Sequence, residues 1–358
     1  MRNFFVVAMV VASWMGALAC TSAIIAGSMT KNGRPLLWKH RDTSDFNNKV
    51  EKIEASDGRY EYVALYNSSD SLCREAWIGF NSEGFAVMNT ASYNLKADTV
   101  TQMDREGLLM SEALATCRTV GDFEQLLTDL PKPLGVEANF GVIDAQGGAA
   151  YFETCNYGYR RCDVDGYMVR TNYSHSGRKD EGYGYIREQN AEALLVPYIE
   201  QRMVEPSTLT EVLSRSFYHS LMGKDMMKGN HWVVDKDFIP RYSSSASVVI
   251  EGVNPGEPVD DATMWTVLGY PPCGVVEPVW LWSIPDDLRA NPATGKAPAC
   301  DRANLLKAKA FPITRDRGEG YIDADALRVI NKQCRKESLA RYKAGYAELE
   351  QHRKEAQR

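Results

Sequence analysis

Of the eight cysteines in this 358-residue chain, Cys20 occupies the one position that could make it a nucleophile with a base attached. It follows Arg2, an apolar run Phe4-Phe5-Val6-Val7-Ala8-Met9-Val10-Val11-Ala12, Trp14 and small residues ending Ala17-Leu18-Ala19. A short basic start, an apolar stretch too brief for a comfortable membrane span and an Ala-x-Ala exit form the pattern of a secretory signal over residues 1–19. Cleavage after Ala19 would export the chain and leave Cys20 first, with a free thiol beside a free α-amine. A thiol ionises near pH ~8.5 and an α-amine near ~7.7–8.0, so the pair combines nucleophile and general base close to neutrality. A Thr hydroxyl activated by an N-terminal amine works in the same way. The competing fate is lipidation, which would anchor the chain at Cys20 and remove both groups. That pathway prefers Leu three residues before the cysteine and a small residue between, an order exchanged here as Ala17 and Leu18.

An amine acting as a base needs a carboxylate to orient it, and the next segment offers one. After Cys20 the chain reads Thr21-Ser22-Ala23-Ile24-Ile25, turns at Lys31-Asn32-Gly33-Arg34-Pro35 and returns as Leu36-Leu37-Trp38-Lys39-His40-Arg41-Asp42. Asn-Gly between apolar runs signals a hairpin, which brings Lys39 to Asp42 back near Cys20. Strand alternation puts Lys39 and Arg41 on one face and His40 and Asp42 on the other. A bulge or a strand end is needed before both sets can serve one pocket; otherwise the four residues are an exposed, charged strand end.

These segments resemble the start of N-terminal-nucleophile hydrolases of the isopenicillin N acyltransferase and carcinine hydrolase-like family, and more distantly choloylglycine hydrolases (bile salt hydrolases and penicillin V acylases). The resemblance rests on Cys20-Thr21-Ser22, the Lys31 to Leu37 turn and Arg41-Asp42-Thr43. It continues through Gly79-Phe80-Asn81-Ser82-Glu83-Gly84-Phe85-Ala86-Val87, Arg170-Thr171-Asn172-Tyr173-Ser174, Ser243 to Ile250 and Met264-Trp265-Thr266, so it spans roughly residues 20 to 285. It implies Cys20 as nucleophile with its own amine as base, Asp42 as the carboxylate that holds the amine, and Asn172 as an oxyanion-hole donor. Where choloylglycine hydrolases carry Arg, this chain has Lys39, a point charge without the guanidinium fork, and Arg41 is the residue that could substitute. Asn89 is the nearest candidate for a second asparagine, and Arg241 for a late substrate-binding arginine. The implied reaction cleaves a linear, non-peptidic or small-peptide amide through a thioester. Acyl transfer and a dipeptidase activity remain open, and no cofactor or metal is implied. The fold implied is α+β, a four-layer αββα sandwich.

The remaining sequence fits a scaffold for such a site. With 47 acidic and 41 basic residues the net charge is -6, which provides no field for gathering nucleic acid. The resemblance implies a small-molecule amide as partner, and no integral membrane segment is expected after the signal. Residues 60–67, 74–92, 138–156, 167–173, 245–251 and 263–283 are rich in β-branched and aromatic residues, which predicts strands. Helices are predicted at about 105–117, 120–130, 184–203 and 207–222, with Thr119 and Ser207 as caps of the second and fourth and His219 on the fourth. Strands and helices come in runs, against regular βαβ alternation. Residues 20–321 read as one domain with a Pro-rich excursion at 284–300, and 322–358 as a helical extension with an apolar stripe at Leu339, Tyr342, Tyr346 and Leu349. Cys155 and Cys162 flank a hairpin and could pair; the other pairings stay open. Asp163-Val164-Asp165-Gly166 lacks the glutamate of a calcium loop and reads as a β-turn. Asn172 also lies in a glycosylation sequon, Asn-Tyr-Ser.

Overall fold

A computed structural model describes residues 19–314 and 320–356; apart from Ala19, the segment read as a signal lies outside them. The expected hairpin joins β1 (Thr21–Ile25) to β2 (Leu36–Asp42), pairing Thr21 with His40 and Ile25 with Leu36. The chain then leaves this sheet and builds an antiparallel meander of seven strands in sequence order: β3 (Asn48–Ile53), β4 (Tyr62–Asn67), β5 (Ile78–Asn81), β6 (Ala86–Ala91), β7 (Ala138–Ile143), β8 (Ala149–Thr154) and β9 (Tyr159–Asp163). With β10 (Tyr167–Arg170) it returns to flank β1. The strands Ser244–Glu251, Thr263–Leu268 and Val276–Val279 extend the other side of β2, giving six antiparallel strands with the hairpin near the middle.

The two sheets share an apolar core. Ile24, Leu37, Val248 and Ile250 of one meet Val63, Leu65, Ile78, Phe80 and Met88 of the other. The opposite face of the meander buries Phe85, Val87, Phe140 and Phe152 against Leu109, Met110, Leu114, Phe123 and Leu127 of α1 (Glu106–Thr116) and α2 (Val120–Asp129). The opposite face of the six-stranded sheet packs Trp38, Val249 and Trp265 with Ala191 and Leu195 of α3 (Tyr185–Glu200) and with Tyr342. Central strands covered on both faces explain why their sequences are apolar runs rather than clean alternations. Thr119 caps α2 through a full capping box with Asp122.

Several elements differ from expectation. No α-helix forms over 207–222: one π turn, Thr208–Val212, and a 3-10 turn, Leu213–Arg215, are followed by the two-residue strand Tyr218–His219. Ser207 makes no side-chain cap, and the Ser214 hydroxyl donates to Leu209 O at 2.8 Å, five residues back, which suits a widened turn. His219 is therefore on a strand. The excursion at 284–300 ends in α4 (Pro298–Ala310), a helix not foreseen, which carries Cys300 into the inter-sheet core. Strands β3 and β9 were likewise not foreseen; their polar, charged sequences hide their pairing. All eight cysteines are free, Cys155 and Cys162 included.

The C-terminal helix α5 runs Ala324–Ala356 and buries Ser338, Tyr342, Gly345 and Leu349, while Leu339 is exposed. The docking stripe thus includes a small residue where a large one was expected beside it. A Cβ on Gly345 would lie 2.8 Å from the Trp265 ring, so its absence lets the helix approach that ring closely. Among the described residues no helix is long and apolar enough to cross a membrane.

Candidate active site

Cys20 lies immediately before β1, 7% exposed, with Sγ 3.9 Å from the backbone carbonyl of Asp42 at the end of β2. Both carboxylate oxygens of Asp42 are engaged: Oδ1 accepts from Ser244 Oγ at 2.6 Å and Oδ2 from Arg241 Nη2 at 2.6 Å. The same Nη2 donates to Ala19 O at 3.2 Å, which ties the carboxylate to the residue preceding Cys20. The irregularity required by strand alternation is present in the partner strand. Ser244 stands opposite Asp42 and Ala246 opposite Arg41, with Ser245 extra between them.

His40 completes this cluster without carrying charge. Its Nε2 is 2.8 Å from Ser244 Oγ, whose single proton goes to Asp42, so the imidazole donates and is the Nε2–H tautomer by network logic. Nδ1 is buried and unpartnered, and burial lowers the pKa to about 4. A neutral imidazole, a hydroxyl and a carboxylate thus form one hydrogen-bonded line.

Asn172 follows β10 and is completely buried. Its Oδ1 accepts from Arg187 Nη2 at 2.8 Å, and its Nδ2 donates to Ala91 O at 2.9 Å. Arg187, on the first turn of α3, was not singled out in the sequence. Its Nη1 donates to Cys20 O at 2.6 Å and to Thr21 Oγ1 at 3.0 Å, so one guanidinium connects Cys20 to Asn172. Burial and the neighbouring Arg241 lower its pKa to about 9, which still leaves it charged at neutral pH. Nothing in Tyr185-Ile186-Arg187 distinguishes this arginine from a solvated helical one; its partners lie 15 and 167 residues away.

Lys39 and Arg41 project from the other face of β2 into a cavity of about 450 Å³, which Cys20 and Asp42 also line. Lys39 Nζ donates to Trp77 O at 2.9 Å and to Asn89 Oδ1 at 2.6 Å. Burial lowers its pKa to about 8, against the raising influence of a Cys20 charge. Asn89 is thereby oriented with its Oδ1 on the lysine. Arg41 bonds Asn48 Oδ1 and Asn67 Oδ1 and stacks 4.7 Å from the Trp77 ring. It makes no bond to Asp42, as the alternation of β2 requires, and it lines the same cavity as Lys39. Arg241, the candidate for a late substrate-binding arginine, is paired with Asp42.

No family model matches the sequence, and no curated protein matches it. Among solved structures the chain is similar to a Caenorhabditis elegans ortholog of N-acylethanolamine-hydrolyzing acid amidase: 14% identity, TM-score 0.44, covering 67% of this chain and 94% of that one. It is similar to a conjugated bile acid hydrolase mutant from Clostridium perfringens at 11% identity and TM-score 0.45, covering 73% and 92%. It is similar to penicillin V acylase from Agrobacterium tumefaciens at 13% identity and TM-score 0.42, covering 75% and 88%. What the site can do follows from its own residues. Cys20 and Asp42 share one cavity wall, while Asn172, fully buried with its Nδ2 on Ala91 O, is not among the residues that line it.

Proposed function

We propose that this chain is an exported N-terminal-nucleophile amidase, a four-layer αββα sandwich of the isopenicillin N acyltransferase and carcinine hydrolase-like kind, matured by removal of residues 1–19. The observation that carries this reading is the placement of Asp42, held by Ser244 and Arg241, against the Ala19–Cys20 segment. Freed at Ala19, the Cys20 amine takes the thiol proton while Sγ bonds to the substrate carbonyl carbon. The oxygen takes the negative charge, and Asn172 is the donor proposed to meet it. Collapse breaks the C–N bond, the leaving nitrogen receives the proton from the amine, and a thioester remains. Water, activated by the same amine, then releases the acid; an amine acceptor in place of water gives acyl transfer.

Burial of Cys20 weighs against the lipid-anchored alternative, because a lipidated sulfur must lead its chains out to a bilayer. Intact-mass analysis of exported protein checks the maturation: the expected N-terminus is Cys20 without acyl groups. Protein with that N-terminus is then assayed on a panel of linear acyl amides and dipeptides, with Cys20→Ala as control. Turnover abolished in Cys20→Ala and by iodoacetamide is the expected result. A blocked or shifted N-terminus in protein that still cleaves amides would remove the mechanism.

A further inference from the structure

Arg241 ties Asp42 to the Ala19 carbonyl, yet no regular element carries it. It stands in an irregular segment, residues 235–243, between the strands Trp232–Val234 and Ser244–Glu251. A long side chain on such a segment keeps one geometry only when the backbone presenting it is fixed. The peptide joining Arg241 to Tyr242 is held at both ends: Asp235 Oδ2 accepts from its N–H at 2.6 Å, and Ser244 N donates to its carbonyl at 2.8 Å. Lys307 on α4 donates to the next carbonyl, Tyr242 O, and its Nζ lies 3.6 Å from the Phe46 ring centroid and 4.2 Å from that of Tyr242. Asp235 and Lys307 have no part in the proposed reaction. A neutral acceptor would serve the Tyr242 N–H equally well, and a buried carboxylate is costly unless its charge is balanced. Burial raises the Asp235 pKa to about 7, against the Tyr242 N–H bond and the charges of Arg241 and Lys307, with Asp42 opposing these. Arg241 in turn feels Asp42, Asp235 and Asp237. Asp235 Oδ1 and Arg241 Nε, an acceptor and a donor, are buried and make no hydrogen bond with any described residue, so the Asp235 charge reaches Arg241 through space.

We propose that Asp235 is a positioning residue for Arg241: its carboxylate fixes the Arg241–Tyr242 peptide and adds a second negative charge to that of Asp42, so that the guanidinium stays on Asp42 and Asp42 on the segment that leads into Cys20. This rests on the amidase reading and adds to it a residue outside the cavity that acts only through Arg241.

Protein that begins at residue 20 is assayed on the linear amide that the wild type cleaves fastest. Asp235→Asn keeps an acceptor for Tyr242 N and removes the charge; kcat is expected to fall about tenfold with KM changed less than about twofold, and Asp235→Glu to recover part of kcat. In the Arg241→Gln background the same Asp235→Asn change is expected to alter kcat less than about twofold, since its effect passes through Arg241. A second readout needs no turnover. In protein carrying ¹⁵N-labelled arginine, rotation of the Arg241 guanidinium, assigned by loss of its signal in Arg241→Gln, is expected to be slow in the wild type and several-fold faster in Asp235→Asn. Should Asp235→Asn fail to fold, Asp235→Ser, smaller and still an acceptor, is measured in the same way. Unchanged kcat with unchanged rotation in Asp235→Asn, or an equal loss of kcat with and without Arg241, overturns the positioning role, and turnover by the wild type would then leave the amidase standing. Faster rotation in Asp235→Asn with no cleavage of any amide by the wild type supports the positioning and removes the amidase.

Discussion

Ser244 Oγ is the acceptor for His40 and for the Arg241 backbone N–H, and the donor to Asp42, so one hydroxyl fixes three groups. Ser244→Ala leaves a buried carboxylate one donor short and a buried imidazole without its acceptor. The expected cost is about 1–3 kcal/mol in urea unfolding, with kcat falling more than KM rises because the orienter of the base is loosened. Asn172→Ala, in the proposed oxyanion role, is expected to lower kcat by about 10²–10³. His40 predicts a pH effect whose sign follows from its depressed pKa of about 4. Unfolded histidine binds its proton near pH ~6.5, so stability is full above that value and falls toward pH ~4, by on the order of 1 kcal/mol per pH unit. Glu106 and Asp235, both raised to about 7 by burial, act oppositely over that range. The measurement is therefore the difference in slope between wild type and His40→Gln, which is expected to be less acid-sensitive.

At the scale of elements, helix α5 is held by shape more than by the apolar stripe read along it. Gly345→Ala improves helix propensity by about 1 kcal/mol in an exposed setting, yet here the new methyl meets the buried Trp265 ring. Net destabilisation of about 1–3 kcal/mol is expected in chemical unfolding. Thr119→Ala removes one half of the capping box of α2 and is expected to cost about 1 kcal/mol while leaving amide turnover unchanged, since that helix packs on the meander away from Cys20. Thr119 was legible in the sequence because a cap and its third-position acid are local. The turns over 207–222 were not, because Ser214, Thr210 and Tyr342 hold them through bonds that no periodicity records.

For the whole molecule, stability rests on a core between two sheets, one on each outer face and a fourth cluster around Phe217, Phe238, Phe311 and Leu327, with no covalent crosslink among the cysteines. Denatured mature protein is expected to titrate eight thiols, and reductant to leave the thermal midpoint unchanged. Six or fewer thiols in unreduced protein would contradict this arrangement. The cavity too belongs to this scale, since one sheet supplies Lys39 and Arg41 and the other Asn89, while Trp77 comes from the segment just before β5.

By itself the sequence determined what adjacent residues can state: a cysteine placed after a signal-like segment, an Asn-Gly hairpin returning an aspartate to it, a capped helix and a predominance of β-rich runs. Those features depend on local sterics and on patterns a few residues long. Only the tertiary structure decided that Arg241 meets Asp42, that Ser244 and His40 stand behind it, and that Arg187 joins Cys20 to Asn172. Those bonds span 15 to 204 residues and depend on strand register, a one-residue bulge and the helix packed on β10, which carry no mark in the neighbouring sequence.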